Sequence, residues 1–157
     1  KEGPVYLRLG RAAVPVINDR PDYKSEIGKG VLLKDGSDVT IVASGITVAS
    51  ALEAAEMLAA DGISAEVINI HTIKPLDKEL IIASAKKTGK VVTAEEHSVI
   101  GGLGSAVCDC LSENQPTRVM KIGMQDVFGE SGTAAALVEK YGLDGKGIYA
   151  KVKEFVS

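Results

Sequence analysis

Tryptophan is absent from this 157-residue chain, aromatic residues make up 4% of it, and cysteine occurs only twice. Without aromatic platforms there is little on which successive bases could stack. A basic excess is missing too: 18 Lys and Arg stand against 21 Asp and Glu, a formal charge of −3. That balance leaves no electrostatic footprint for nucleic acid or for an anionic membrane surface. The two cysteines, Cys108 and Cys110, fall two apart in a helical pattern and so point about 200° away from each other. They can share neither a bridge nor a metal, and read as core thiols of a reducing compartment. No run is long and apolar enough to span a bilayer, since Val39 to Ala60 carries Glu53, Glu56 and a Ser44-Gly45 break. Lys1-Glu2-Gly3-Pro4 has no signal-peptide character. A soluble, cytoplasmic domain is expected. No Cys/His/Asp cluster has metal-ligand spacing, no G-x-S-x-G elbow occurs, and there is no internal repeat.

What the chain does have is small apolar residues in alternating periods. A domain of this length buries roughly 70% of its unfolded surface, enough for a core without disulfides or metal. VTIVA (Val39–Ala43), AEVINI (Ala65–Ile70), KVVTA (Lys90–Ala94) and RVMKI (Arg118–Ile122) are short β-branched runs, apolar enough to be covered on both faces. Helical spacing separates them. Val48, Ala51, Leu52, Ala55, Leu58 and Ala59 form one stripe that stops at Gly62; Asp77 caps a second helix that stops at Gly89; Leu103, Ala106, Val107, Cys110 and Leu111 form a third. Thr133–Tyr141, ended by Gly142, and Gly145–Val156, capped by Asp144, complete the set. Alternating strands and helices predict an α/β fold with a mostly parallel sheet and right-handed crossovers. The first forty residues differ. Gly3–Arg11 reads as a strand, Val14–Tyr23 as an extended linker with two prolines, and Ile27–Gly45 as two strands joined by an Asp35-Gly36 turn. That hairpin would supply one antiparallel edge strand.

The chemistry-bearing residues concentrate in EEHSVIGGLGSAV, from Glu95 to Val107. Glu95, Glu96 and His97 follow a strand at its carboxyl end, where α/β folds place ligands, and Gly101, Gly102 and Gly104 open a helix whose free N–H groups attract anions. Against an anion site, the glycines match neither G-x-G-x-x-G nor a Walker loop. They also suit a tight turn that lets a helix start press against a neighbouring backbone. Turn and packing is the default, anion binding the alternative. His97 beside two carboxylates has the elements of a general base and its orienting group, although a hydrogen-bonded surface histidine is commoner. His71, before TIKPLD, has the same standing. Arg8 and Arg11, at the end of the first strand, suit either a phosphate or an ion pair with a neighbouring acid.

Taken together and in order, GPVYLRLGR, TIVASGITVASALEAAEMLAADGISAEVINIHTIKPLD, EEHSVIGGLGSAV and FGESGTAAALVEKYGL make the chain resemble the C-terminal part of transketolase over nearly its whole length. Deoxyxylulose-phosphate synthase and the β subunits of 2-oxoacid dehydrogenases share this domain. Glu-Glu-His before the glycines is similar to the transketolase version.

The resemblance implies a three-layer α/β/α domain with a mostly parallel five-stranded sheet and one antiparallel edge strand, which packs on the catalytic domains and at the dimer interface of an enzyme moving two-carbon ketol units between sugar phosphates in the pentose phosphate pathway. Residues 1–23 would be the last strand of the preceding pyrimidine-binding domain plus a linker, and 24–157 the C-terminal domain. Arg11 matches the arginine that contacts the substrate's phosphate, with Gly10 standing where the family has a small polar residue. Glu95, Glu96, His97, Gly101, Gly102 and Gly104 would position a loop or interface. Thiamine diphosphate and Mg belong to the complete enzyme. The family's Gly-Asp-Gly stretch with its following Asn, and the catalytic Glu with its aromatic stacking partner, are absent here, so this stretch of chain is expected to bind neither and to be inactive alone. The partners implied are the thiamine-binding domains or subunit, a second copy in a homodimer, and sugar phosphates. A docking domain that recruits another protein and an independent anion- or nucleotide-binding module remain the alternatives.

Overall fold

The computed structural model describes residues 2–7, 13–19, 21 and 23–157. Five strands form one sheet: β1 (Val31–Lys34), β2 (Val39–Ala43), β3 (Ala65–Asn69), β4 (Lys90–Ser98) and β5 (Arg118–Met124). Their spatial order is β1-β3-β2-β4-β5, with β1 antiparallel to β3 and the other pairs parallel. Helices α1 (Thr47–Ala60), α2 (Lys78–Thr88), α3 (Leu103–Asn114), α4 (Ala134–Lys140) and α5 (Gly145–Val156) connect and cover it.

Pleating sorts the strand residues into two cores. Val39, Ile41, Ala43, Val67, Val92 and Ala94 face α1 and α5, whereas Val42, Ile68 and Val91 face α2 and α3. Cys110 lies in the second core and Cys108 is half-buried; desolvation pushes both thiols up from their ordinary value. The helix ends follow local chemistry. Asp77, Thr133 and Asp144 accept from backbone N–H groups three residues on, and Gly89 closes α2 with a left-handed conformation. No helix among the described residues is long and apolar enough to cross a membrane.

The expected hairpin is not formed. β1 pairs with β3, and the four residues 35–38 carry the chain across the start of β3 to β2 on its other side. Gly36 makes the crossing possible, because a Cβ there would sit 2.3 Å from the backbone of Ala65. Ser37 and Asp38 donate their N–H groups to Ser64 O, which fixes the crossing. An Asp-Gly pair marks a turn without saying which strand the chain pairs with afterwards. β4 and β5 also run further than the apolar runs suggest, through the polar Glu95–Ser98 and to Met124, with Val99 N–H still donating to Met124 O. Residues 3–7, the described part of the expected first strand, lie exposed without strand pairing; the remainder lies outside the described residues.

Candidate functional site

The connections that leave β2 and β4 diverge. From β2 the chain passes through α1 to β3 on one side, and from β4 through α3 to β5 on the other. A crevice opens between the carboxyl ends of two such strands, the usual ligand position in α/β sheets. Here it holds about 360 Å³ and is lined by Ser44, Gly45 and Ile46 after β2, by Glu95, Glu96, His97, Gly101 and Gly102 around the β4–α3 turn, and by Ile73. Thr47 Oγ1 donates to Ala94 O at 2.7 Å and ties the start of α1 to β4 across the floor.

Glu95 decides what the turn can do. Its side chain is 2% exposed, and its two carboxylate oxygens accept from Leu103 N at 2.7 Å and Gly104 N at 2.8 Å. The first N–H groups of α3, which would otherwise attract an external anion, are satisfied by the chain's own carboxylate. Each glycine of the turn then has a separate reason. Gly101 adopts φ +79, and its N–H donates to Ser105 Oγ. A Cβ on Gly102 would lie 2.1 Å from Glu95 Oε2, and one on Gly104 would meet the Lys121 stem and Thr93 Oγ1. The glycine-rich turn is therefore a socket for Glu95.

The neighbours do not form an acid–base pair. His97 is exposed, and its Nδ1 lies 2.9 Å from Ser98 O, to which it donates; Glu95 is committed to α3 and Glu96 is exposed. His71 is exposed as well, with Nδ1 at 3.0 Å from Thr72 Oγ1, and it lies outside the crevice lining. Arg8 and Arg11 lie outside the described residues. Nor does the crevice fit a metal-bound diphosphate: its helix donors are taken, two of its lining residues are carboxylates, and no metal-holding group of three His, Cys, Asp or Glu occurs among the described residues.

One consequential residue escaped the sequence reading. Glu66, 2% exposed on β3, accepts from Lys87 Nζ at 2.5 Å and from Thr40 Oγ1 at 3.1 Å. A glutamate inside an apolar strand covered on both faces needs a partner, and AEVINI carried that signal.

Comparison with known proteins places the chain. Residues 28–148 match the family described as transketolase, C-terminal domain. A 6-deoxy-6-sulfo-D-fructose transketolase subunit from a Clostridium species is 52% identical over 154 residues, 98% of this chain and 47% of that protein. A 1-deoxy-D-xylulose-5-phosphate synthase from Heliobacterium modesticaldum is 44% identical over 98% of this chain and 24% of its own length. A solved structure described as a split-gene transketolase, inactive β4 tetramer, superposes with a TM-score of 0.90 at 58% identity, covering 98% of this chain and 50% of that one. The chain spans about half the length, or less, of these relatives. It belongs to the transketolase C-terminal domain family.

Proposed function

We propose that the chain is the C-terminal domain of a split transketolase-type enzyme in the cytoplasm, which moves two-carbon ketol units between sugar phosphates. The observation that carries this reading is Glu95 in the α3 socket: the place where this fold class binds an anion is filled from within, as suits a structural domain. Thiamine diphosphate and Mg supply the carbanion chemistry of such an enzyme and are held by its thiamine-binding domains or subunit. The chain contributes packing through its C-terminal domain and, through Arg11 in the stretch ahead of that domain, a contact to the phosphate of the substrate. The enzyme works as an assembly with its thiamine-binding subunit and a second copy of each.

Reconstitution tests this. Ketol transfer is expected only when the chain is combined with the polypeptide carrying the thiamine-binding half, and calorimetry on the isolated chain is expected to show no uptake of thiamine diphosphate. Micromolar binding by the isolated chain would overturn the reading. In the reconstituted enzyme Arg11→Ala is expected to lower kcat/KM for phosphorylated sugars about ten- to a hundredfold, mostly through KM. A charge-assisted hydrogen bond remote from the reacting carbon has that worth, about 1.5–3 kcal/mol. Equal losses with unphosphorylated sugars would assign Arg11 to structure.

The identity with deoxyxylulose-phosphate synthase over nearly the whole chain favours a second reading, the same domain in an enzyme with that product. Product analysis with pyruvate against a ketose phosphate as donor separates the two.

A further inference from the structure

The loop between β5 and α4 is held by very little. Among the described residues, no hydrogen bond involves the backbone of residues 126–132, and the side-chain tie there is an exposed ion pair between Glu130 and Lys140. Such a pair resists motion weakly. The loop leaves β5 through Asp126 at φ +55, the one non-glycine residue with positive φ among those described. It leads into α4, which alone among the five helices has no buried residue. Backbone with so few ties belongs to the least stable part of a domain and is the first to move. Between the loop and α4 lies a hollow of about 380 Å³, lined by Met124, Leu137, Val138, Tyr141 and Leu143 and, from the loop, by Gly129. It shares Glu96 with the crevice. Phe128, the neighbour of Gly129, is 97% exposed. An aromatic ring stands in water one residue away from an apolar hollow. Gly129 adds a second oddity: its φ is ordinary and a Cβ there would meet nothing, so the arrangement seen here makes no use of a glycine.

We propose that residues 126–132 are a lid, seen here open, which closes by turning at Asp126 and Gly129 and seats the Phe128 ring in the hollow against Leu137, Val138 and Tyr141. Closure takes the ring and the half-buried faces of Leu137 and Val138 out of water, which is favourable. Against it stands the ordering of a loop that has no backbone hydrogen bonds to give up. The balance makes the closed state the favoured one for the chain free in solution, with the open state as its exchange partner. Gly129 finds its use in the turn, where a residue without Cβ passes the edge of the hollow and reaches conformations closed to others. The lid gates two spaces together: closed, it fills the hollow and covers the side of the crevice formed by Glu96, and open, it bares both. None of this depends on the function proposed above.

The chain has two phenylalanines, Phe128 and the core residue Phe155, so fluorine NMR on protein made with fluorophenylalanine reads lid and core at once. Closure is expected to place the Phe128 signal away from its position in the unfolded chain, with the small solvent-isotope shift of a buried ring, as for Phe155. Leu137→Asp puts a charge into the seat at a half-buried position outside both core clusters. It is expected to return the Phe128 signal to the unfolded-chain position with a full isotope shift, leaving the Phe155 signal and the melting midpoint unchanged. Gly129→Val is expected to move the Phe128 signal the same way, since the open arrangement has room for the side chain and the turn does not. If Leu137→Asp lowers the midpoint, Gly129→Val decides. A wild-type Phe128 signal with the unfolded-chain position and a full isotope shift, indifferent to both substitutions, overturns the proposal and leaves Phe128 a plain surface residue. A buried signal that becomes exposed on dilution overturns it as well, because the ring is then covered by a second copy of the chain.

Discussion

The two ends of the sheet handle charge in opposite ways. At the amino end, carboxylates meet lysines: Lys87 lies between buried Glu66 and exposed Asp35, and Asp61 accepts from both Lys153 and Tyr149. At the carboxyl end the buried carboxylates, Glu95 and Asp77, have backbone N–H groups as their partners. The difference concerns replaceability. A lysine is flexible and partly solvated, so losing it exposes its partner to water at moderate cost. Two amides at a helix start have fixed directions and no solvent to fall back on, so losing the carboxylate leaves buried donors unpaired. Order at the carboxyl end therefore rests on directed contacts to fixed amides, those of Glu95 the most buried, and at the amino end it is shared among flexible partners.

Removing Glu95 tests that contrast at its largest. Glu95→Ala leaves Leu103 N–H and Gly104 N–H without acceptors and is expected to cost about 2–4 kcal/mol, the sum of a lost helix cap and buried unsatisfied donors. Gly102→Val attacks the same contact from the other side, since its Cβ would collide with Glu95 Oε2. The two effects must then overlap, and the double variant is expected to melt close to the worse single variant. Additive losses in a denaturant-melt cycle would show that Gly102 has a role apart from Glu95.

A middle-sized effect is expected at Lys87. Lys87→Met leaves Glu66, 2% exposed, with Thr40 as its remaining side-chain donor. The cost is expected at about 2 kcal/mol, below the 3–5 kcal/mol of a fully buried pair, because the Lys87 side chain is 40% exposed. Asp35→Asn on the other side of the same ammonium, at 79% exposure, is expected to leave the melting midpoint unchanged. Equal shifts for the two variants would mean that burial of Glu66 is not what gives this lysine its weight.

The contrast also explains what could be read in the sequence. Asp77, Asp144 and Gly89 were legible because a cap interacts with its own helix, within three or four residues. The mostly parallel sheet followed from alternating periods, and its antiparallel edge was expected, though from a hairpin that does not form. The pairing of β1 with β3 was hidden, since it depends on Gly36 passing the backbone of Ala65, nearly thirty residues away in sequence. Glu95 was visible as a residue but its partners were not: the sequence favoured a packed turn and left acid–base work with Glu96 and His97 as the less common alternative. Only the return of α3 over the end of β4 turns it toward Leu103 and Gly104 instead. Glu66 left a trace, a charge within an apolar strand, whereas its partner Lys87 looked like any other surface lysine.

The smallest expected effect sharpens the comparison through pH. Hydrogen bonds from Lys153 and then Tyr149 hold the Asp61 carboxyl below its ordinary value of 3.8. A carboxylate whose folded pKa is depressed contributes stability that is complete above its unfolded value and is lost as pH falls through the folded one. Lys153 is itself raised from its ordinary value, mainly by Asp61, and stays charged throughout that window, so Asp61 alone titrates there. Asp61→Asn is therefore expected to lower the melting temperature slightly at pH 7, and the gap between wild type and variant is expected to close as pH falls below 3.8. The side chain is exposed, so added salt should shrink the gap at neutral pH as well. A gap that survives at pH 2 and in high salt would mean that Asp61 holds α1 to α5 by geometry more than by charge. The amino end would then depend on single directed contacts as the carboxyl end does, and the contrast between them would fail.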